Sequence, residues 1–145
     1  MYNKTVMDRF QSPKNAGSLR GANAIGQVGS SSCGDIMKMY FKINEETLVV
    51  EESKFKTFGC CASIACTDVA CDLVKGKSLE EILKINSKQI AEVLGDLPEN
   101  KVHSTVLAEE AIKAGVEDYF KRKERAAKRA AMLAEEMNSE QEEQE

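Results

Sequence analysis

The stretch MKMYFKINEETLVVEESKFKTFGCCASIACTDVACDLVKG, residues 37–76, changes its hydrophobic period midway, and that change decides the fold. In its first part Met37, Met39, Phe41 and Ile43 alternate with Lys38, Tyr40 and Lys42, the period of two that marks a half-buried strand. Asn44-Glu45-Glu46 reads as a turn, and the extended run Thr47 to Phe58 returns antiparallel to the first strand as a hairpin. After Gly59 the period becomes helical. Ile64, Ala65, Val69, Leu73 and Val74 fall on one face of a helix that ends at Gly76, with Cys60 and Cys61 at its N-terminus.

Working outward, Ile25 to Val28 adds a third strand before the hairpin, and Asn3 caps a short helix carrying Tyr2, Val6 and Phe10 until Ser12-Pro13 stops it. Downstream, Ser78 with Glu81 and Asn86 with Gln89 have the spacing of capping boxes, the second helix stopping at Gly95. Leu97-Pro98 opens a connector. From about Ser104, the residues Leu107, Ala108, Ala111, Ile112, Val116 and Tyr119 mark an amphipathic helix that continues through Phe120 toward Met137. Residues 138–145, NSEQEEQE, have nothing to bury and are expected to be disordered. Strands first and helices afterwards predict an α+β domain: a small three-stranded antiparallel sheet, helices packed on one face, and a long C-terminal helix. In such a fold the loop at Cys33, the turn Gly59-Cys60-Cys61 and the start of the helix at His103 converge at one end.

The chain has 145 residues, 42% of them apolar, which suits one compact domain. It contains no apolar run near the roughly 20 residues needed to cross a bilayer, and MYNKTVMDRF lacks the apolar core of a signal peptide. A cytoplasmic protein without a membrane partner is expected. The formal charge of −4 is a property of the tail: residues 135–145 hold six glutamates and no Lys or Arg, leaving residues 1–134 at +2. A body so near neutrality predicts no nucleic acid partner, and the basic run Lys121, Arg122, Lys123, Arg125, Lys128 and Arg129 reads as a solvated helix.

Five cysteines in a reducing compartment point to metal binding, sulfur chemistry or plain burial rather than to disulfides. In Ser30-Ser31-Ser32-Cys33-Gly34-Asp35 the glycine permits a tight turn that leaves the sulfur uncrowded, and Asp35 returns a carboxylate to the same point. Cys60, at a helix N-terminus, meets backbone N–H groups that favour thiolate, the form that binds metal or accepts sulfane sulfur. His103 adds an imidazole, so that two sulfurs, a nitrogen and an oxygen suit a tetrahedral ion such as zinc. Scattered buried cysteines remain the alternative on these spacings alone.

Four blocks resemble the scaffold proteins of iron–sulfur cluster assembly, the IscU family and the N-terminal domain of NifU. They are YNKTVMDRFQSPKNAGSL, VGSSSCGD, FKTFGCCASIA and LPENKVHSTVLAEEAIKAGVEDYF, in order between residues 2 and 120. The resemblance implies a scaffold domain over residues 1–120; the helical extension over 121–137 and the acidic tail over 138–145 are not part of the family's common core. It implies a non-enzymatic role in which a cysteine desulfurase supplies sulfur, iron is added, and a transient [2Fe–2S] or [4Fe–4S] cluster passes to acceptor proteins. It also implies the metal site Cys33, Asp35, Cys60 and His103, with zinc as an occupant of the cluster-free form.

Two departures qualify that expectation. Where the family usually reads His-Cys-Ser, this chain reads His103-Ser104-Thr105, and a serine hydroxyl stays protonated where iron–sulfur sites use soft thiolate. Cysteines stand instead at Cys61, Cys66 and Cys71. Cys61, beside Cys60, is the candidate compensating ligand or persulfide carrier, while Cys66 and Cys71 lie more than a turn from the site mouth and read as packing. A homodimer sharing one cluster would also restore the ligand count. Lys101 reads as a surface lysine, or beside His103 as an aid to sulfur delivery. The segment Leu97-Pro98-Glu99-Asn100-Lys101 replaces the family's Leu-Pro-Pro-Val-Lys, which argues against a dedicated Hsp70-type chaperone. Two other functions compete: a zinc-bound sulfur-transfer partner of a cysteine desulfurase, and a degenerate regulatory binding module.

Overall fold

The computed structural model describes residues 2–30, 34–95 and 97–144. Its elements run α1 (Lys4–Gln11), β1 (Ala24–Ser30), β2 (Asp35–Ile43), β3 (Val50–Phe58), α2 (Cys61–Val74), α3 (Leu79–Ile82), α4 (Ser87–Leu94), a single 3₁₀ turn (Glu99–Lys101) and α5 (His103–Gln144). The three strands form one antiparallel sheet in the order β1-β2-β3. Register follows the alternation: Met37 stands between Val28 and Thr57, Met39 between Gly26 and Phe55, and Phe41 between Ala24 and Ser53. Those residues share one face of the pleat. Met37, Met39, Phe41 and Phe55 are buried there, and α2 and α5 pack against that face while α1 and α4 lie against α2.

The local signals act as the sequence leads one to expect. Asn3 caps α1 by accepting from the Val6 N–H at 2.9 Å. Both capping boxes are formed, Ser78 with Glu81 before α3 and Asn86 with Gln89 before α4, and Gly95 ends α4 with a positive φ of 82°.

Helix α2 differs from the expectation of one buried face. Ala62, Ser63, Ala65, Cys66, Thr67, Asp68, Val69, Ala70, Cys71 and Val74 are all buried, whereas Ile64 and Leu73 are only partly so. The sheet on one side and α1, α4 and α5 on the others enclose it, so small residues line its whole circumference. The polar Asp68 survives in that position because Arg9 Nη1 and the Asn15 backbone N–H each donate to it at 2.9 Å.

Helix α5 is continuous from the domain to Gln144, so the segment 138–144, expected to be disordered, has helical backbone. Glu and Gln are good helix formers and no Gly or Pro interrupts the segment. Inside the domain α5 buries Ala108, Ala111, Ile112, Val116 and Tyr119, and residues 120–139 are exposed. Among the described residues no helix is long and apolar enough to cross a membrane.

Candidate metal centre

Three element ends meet at one edge of the sheet. Asp35 is the first residue of β2, Cys60 is the N-cap of α2 just past the end of β3, and His103 opens α5. The register sets Ile36 opposite Phe58, which brings the β3–α2 turn beside Asp35. Gly59 makes the turn possible, since a Cβ built there would stand 2.2 Å from Asp35 Oδ1. Of the residues expected at the site, the structure therefore gathers Asp35, Cys60 and His103, while Cys33 lies outside the described residues.

Asp35 is the hub. Ser63 Oγ donates to its Oδ1 at 2.9 Å and His103 Nε2 lies 2.9 Å from its Oδ2. Burial alone would raise the Asp35 pKa, but hydrogen bonds from His103 and Ser63, the imidazole charge and the Cys60 backbone N–H together hold it below the usual carboxylate range. An ionised carboxylate only accepts, so Nε2 of His103 carries the proton between them. The imidazole side chain is about half exposed at 53%, against 11% for Asp35, so the pair opens toward solvent from the histidine side.

Cys60 stands beside that pair with its sulfur 3.5 Å from Ser63 Oγ. Burial raises its pKa, yet the Ser63 hydroxyl, the backbone N–H groups of Ser63 and Ala62 and the charge of Lys101 outweigh burial and bring the thiol below its ordinary value. Ser63 has a single hydroxyl proton, and Asp35 at 2.9 Å is better placed to take it than the sulfur at 3.5 Å. Backbone N–H groups and Lys101 are then the constant part of the thiolate's support. Lys101, expected near His103, thus acts electrostatically on Cys60.

Ser104 is fully buried, and its oxygen lies 3.2 Å from Ser63 Oγ. With the Ser63 proton committed to Asp35, Ser104 donates to Ser63, and the hydroxyl pair supports the carboxylate from behind. Ser63 carries no functional signal by residue type alone. Its place three residues after Cys60, on the same side of the first helical turn, is the signal that finds it. Tyr2 is a second such residue: burial first, then the charge of Cys60 and a hydrogen bond to it, push its phenol pKa up.

The remaining thiols separate clearly. Cys66 and Cys71 are fully buried, and burial pushes both thiols up to about 12. They pack, as expected. Cys61 is partly exposed in the first turn of α2, and among the described residues the hydrogen-bonded network of Asp35, Ser63, His103 and Ser104 includes Cys60 and not Cys61. Among the described residues no three His, Cys, Asp or Glu side chains are close enough to hold an ion by themselves.

The fold and this edge of the sheet define a small α+β domain built around a thiol, a carboxylate and an imidazole. Residues 1–126 match the family described as NifU-like N terminal domain, and the chain belongs to that family. It is 43% identical over 122 residues to the iron–sulfur cluster assembly scaffold protein IscU 1 of Archaeoglobus fulgidus, covering 84% of this chain and 78% of that one. To the iron–sulfur cluster assembly scaffold protein IscU of Escherichia coli it is 41% identical over 126 residues, covering 85% of this chain and 97% of the relative. In fold it is similar to the N-terminal part of a nitrogen-fixing NifU-like protein from Brucella abortus, with a TM-score of 0.61 and 19% identity over 82% of this chain and 94% of the other.

Proposed function

We infer that this chain is a scaffold for iron–sulfur cluster assembly. The observation that carries the reading is the meeting of Cys60, Asp35 and His103 at three element ends, in a chain whose relatives are scaffolds of that name. The cluster is cargo: the protein receives persulfide sulfur, which an external electron donor reduces by two electrons to sulfide, holds iron and sulfide, and releases the product to acceptor proteins. Its role is non-enzymatic, and a cysteine desulfurase is the sulfur donor.

Cys60 receives the sulfur. Its thiolate attacks the outer sulfur of the donor's persulfide, the donor S–S bond breaks, the donor leaves as thiolate, and Cys60 carries the new S–S bond. Lys101 and the N-terminal turn of α2 favour the anion that makes this attack. Asp35 and His103 hold one proton between them, and a metal ion replaces that proton when both become ligands. A carboxylate exchanges more readily than thiolate at iron, which suits a site that must give its cargo up. Cys33, Asp35, Cys60 and His103 would be the donor set, and zinc would use the same donors when no cluster is present.

With Ser104 in place of a thiol, Cys61 is the replacement ligand or persulfide carrier. It is partly exposed at the site's own helix turn, whereas Cys66 and Cys71 are sealed in the core. Anaerobic reconstitution with ferrous iron and sulfide, followed by absorption and Mössbauer spectroscopy, tests both parts. The wild type acquires a cluster, as do Cys66→Ser and Cys71→Ser, while Cys61→Ser loses it. Equal tolerance of all three substitutions removes Cys61 from the site, and a wild type that takes up only zinc overturns the scaffold reading.

A further inference from the structure

Beyond Tyr119, α5 leaves the domain, and the segment from Lys121 to Gln144 is about 36 Å of helix at 1.5 Å per residue. A helix solvated on all sides is ordinarily polar on all sides. This one exposes Met132, Leu133 and Met137 at 63%, 54% and 64%. Ala126, Ala130, Leu133 and Met137 recur at intervals of four, three and four, continuing the line of Ile112, Val116 and Tyr119 that α5 buries inside the domain. Alternate intervals of three and four form the seam of a two-stranded coiled coil. Met132 lies one position off that seam.

The charges are divided along the same helix. Lys121, Arg122, Lys123, Arg125, Lys128 and Arg129 occupy its first half, and Glu135, Glu136, Glu140, Glu142 and Glu143 its second. A helix that is basic at one end and acidic at the other is complementary to itself when reversed.

We propose that residues 121–144 form the contact between two copies of this chain, paired antiparallel about a twofold axis that passes between Ala131 and Met132. In that register the seam of one copy meets the other in small-to-large layers: Ala126 faces Met137 of the second copy and Ala130 faces Leu133, with the reciprocal layers across the axis. Arg129 falls beside Glu136 of the second copy. Parallel pairing would set basic half against basic half and acidic against acidic, so the charge division selects the antiparallel form. The ion pair Lys128–Glu124, at 3.2 Å within one helix, lies on the face away from the seam and is undisturbed. The two domains sit at opposite ends of the paired helices, and their metal centres share no ligand across this contact. The dimer therefore forms without iron or sulfide and does not depend on the scaffold reading.

Sedimentation of the full metal-free chain at low salt tests the proposal. The wild type sediments at twice the 16.0 kDa chain mass. Leu133→Glu halves the mass, as does Arg129→Glu. Adding Glu136→Arg to that charge-reversed chain restores the dimer, because the pair regains opposite signs. Arg129, Leu133 and Glu136 are exposed, and an unchanged circular dichroism spectrum confirms that the domain is intact. A monomeric wild type overturns the proposal, as does a dimer that ignores both Leu133→Glu and charge reversal.

Discussion

Ser104 sits in the wall of the site. Its side chain is fully buried and its hydroxyl is spent on Ser63, which in turn donates to Asp35. A serine in that place sustains the carboxylate but offers no thiolate. Ser104→Cys places a sulfur where that hydroxyl now lies, within reach of the Asp35 and Cys60 neighbourhood. The expected outcome is a cluster that decays more slowly than that of the wild type, measured by loss of visible absorption under anaerobic chelation. Faster decay or no change would show that position 104 is too deep to ligate and that its role is confined to Ser63. The same residue scale explains why the other thiols cannot compensate from the core. Cys66 and Cys71 are fully buried with thiols pushed up to about 12, so ionising either requires opening the domain.

At the scale of elements, the sheet and α5 touch almost backbone to backbone. Gly26 of β1 faces α5 so closely that a Cβ there would stand 2.2 Å from the Ala111 carbonyl oxygen, and a Cβ at Gly115 would stand 2.1 Å from the Phe41 ring. Helix propensity alone favours alanine over glycine at position 115 by about 1 kcal/mol. Overpacking against a buried ring opposes it by about 1–3 kcal/mol, and the 2.1 Å approach places this case at the upper end. Gly115→Ala is therefore expected to lose about 2 kcal/mol net, read as a lower urea midpoint with an unchanged slope. A raised midpoint would show that Phe41 yields without strain. These contacts also mark where the sequence stops being legible. The alternation of Met37, Met39 and Phe41, the cap at Asn3 and both capping boxes are local, and each is read from a handful of neighbouring residues. Gly26 against Gly115 is a pairing across most of the chain, and no period announces it. The same holds for the site: Cys60 is legible as a helix N-terminus, whereas Asp35 and His103 are 68 residues apart, and the α+β layout suggests only that their loops converge while the resemblance to known scaffolds singles out these residues. Ser63 escaped both routes because its polarity matters only once Asp35 is beside it.

At the scale of the whole molecule, one partly buried ionic network fastens α1 and the following loop to the central helix α2. Arg9 Nη1 donates to Asp68 Oδ2 at 2.9 Å and to Asp72 Oδ2, Asn15 Nδ2 donates to Asp72 Oδ1 at 3.0 Å, and Lys75 Nζ donates to Asn15 Oδ1. Burial raises the Asp72 pKa, but the hydrogen bonds from Asn15 and Arg9 and the charges of Arg9 and Lys75 prevail and hold it below its ordinary value. A carboxylate with a depressed folded-state pKa stabilises the fold fully above its unfolded value of about 3.9, and that stability is lost as pH falls through the lower, folded value. Asp35 is shifted in the same direction and adds to the same acid limb in the metal-free protein. The Asp72 side chain is 32% exposed, so solvent screening keeps its share on the order of 1 kcal/mol. Asp72→Asn removes the charge at every pH. Its urea midpoint is expected to fall below the wild type at pH 7, and the gap should narrow below pH 4 as the wild-type carboxylate takes up its proton. Asp35 remains to give the variant a residual acid limb, so the two curves converge without becoming flat. Parallel curves from pH 7 down to pH 3 would mean that Asp72 titrates alike in the folded and unfolded chains, and the tie between α1 and α2 would then rest on Asp68 alone.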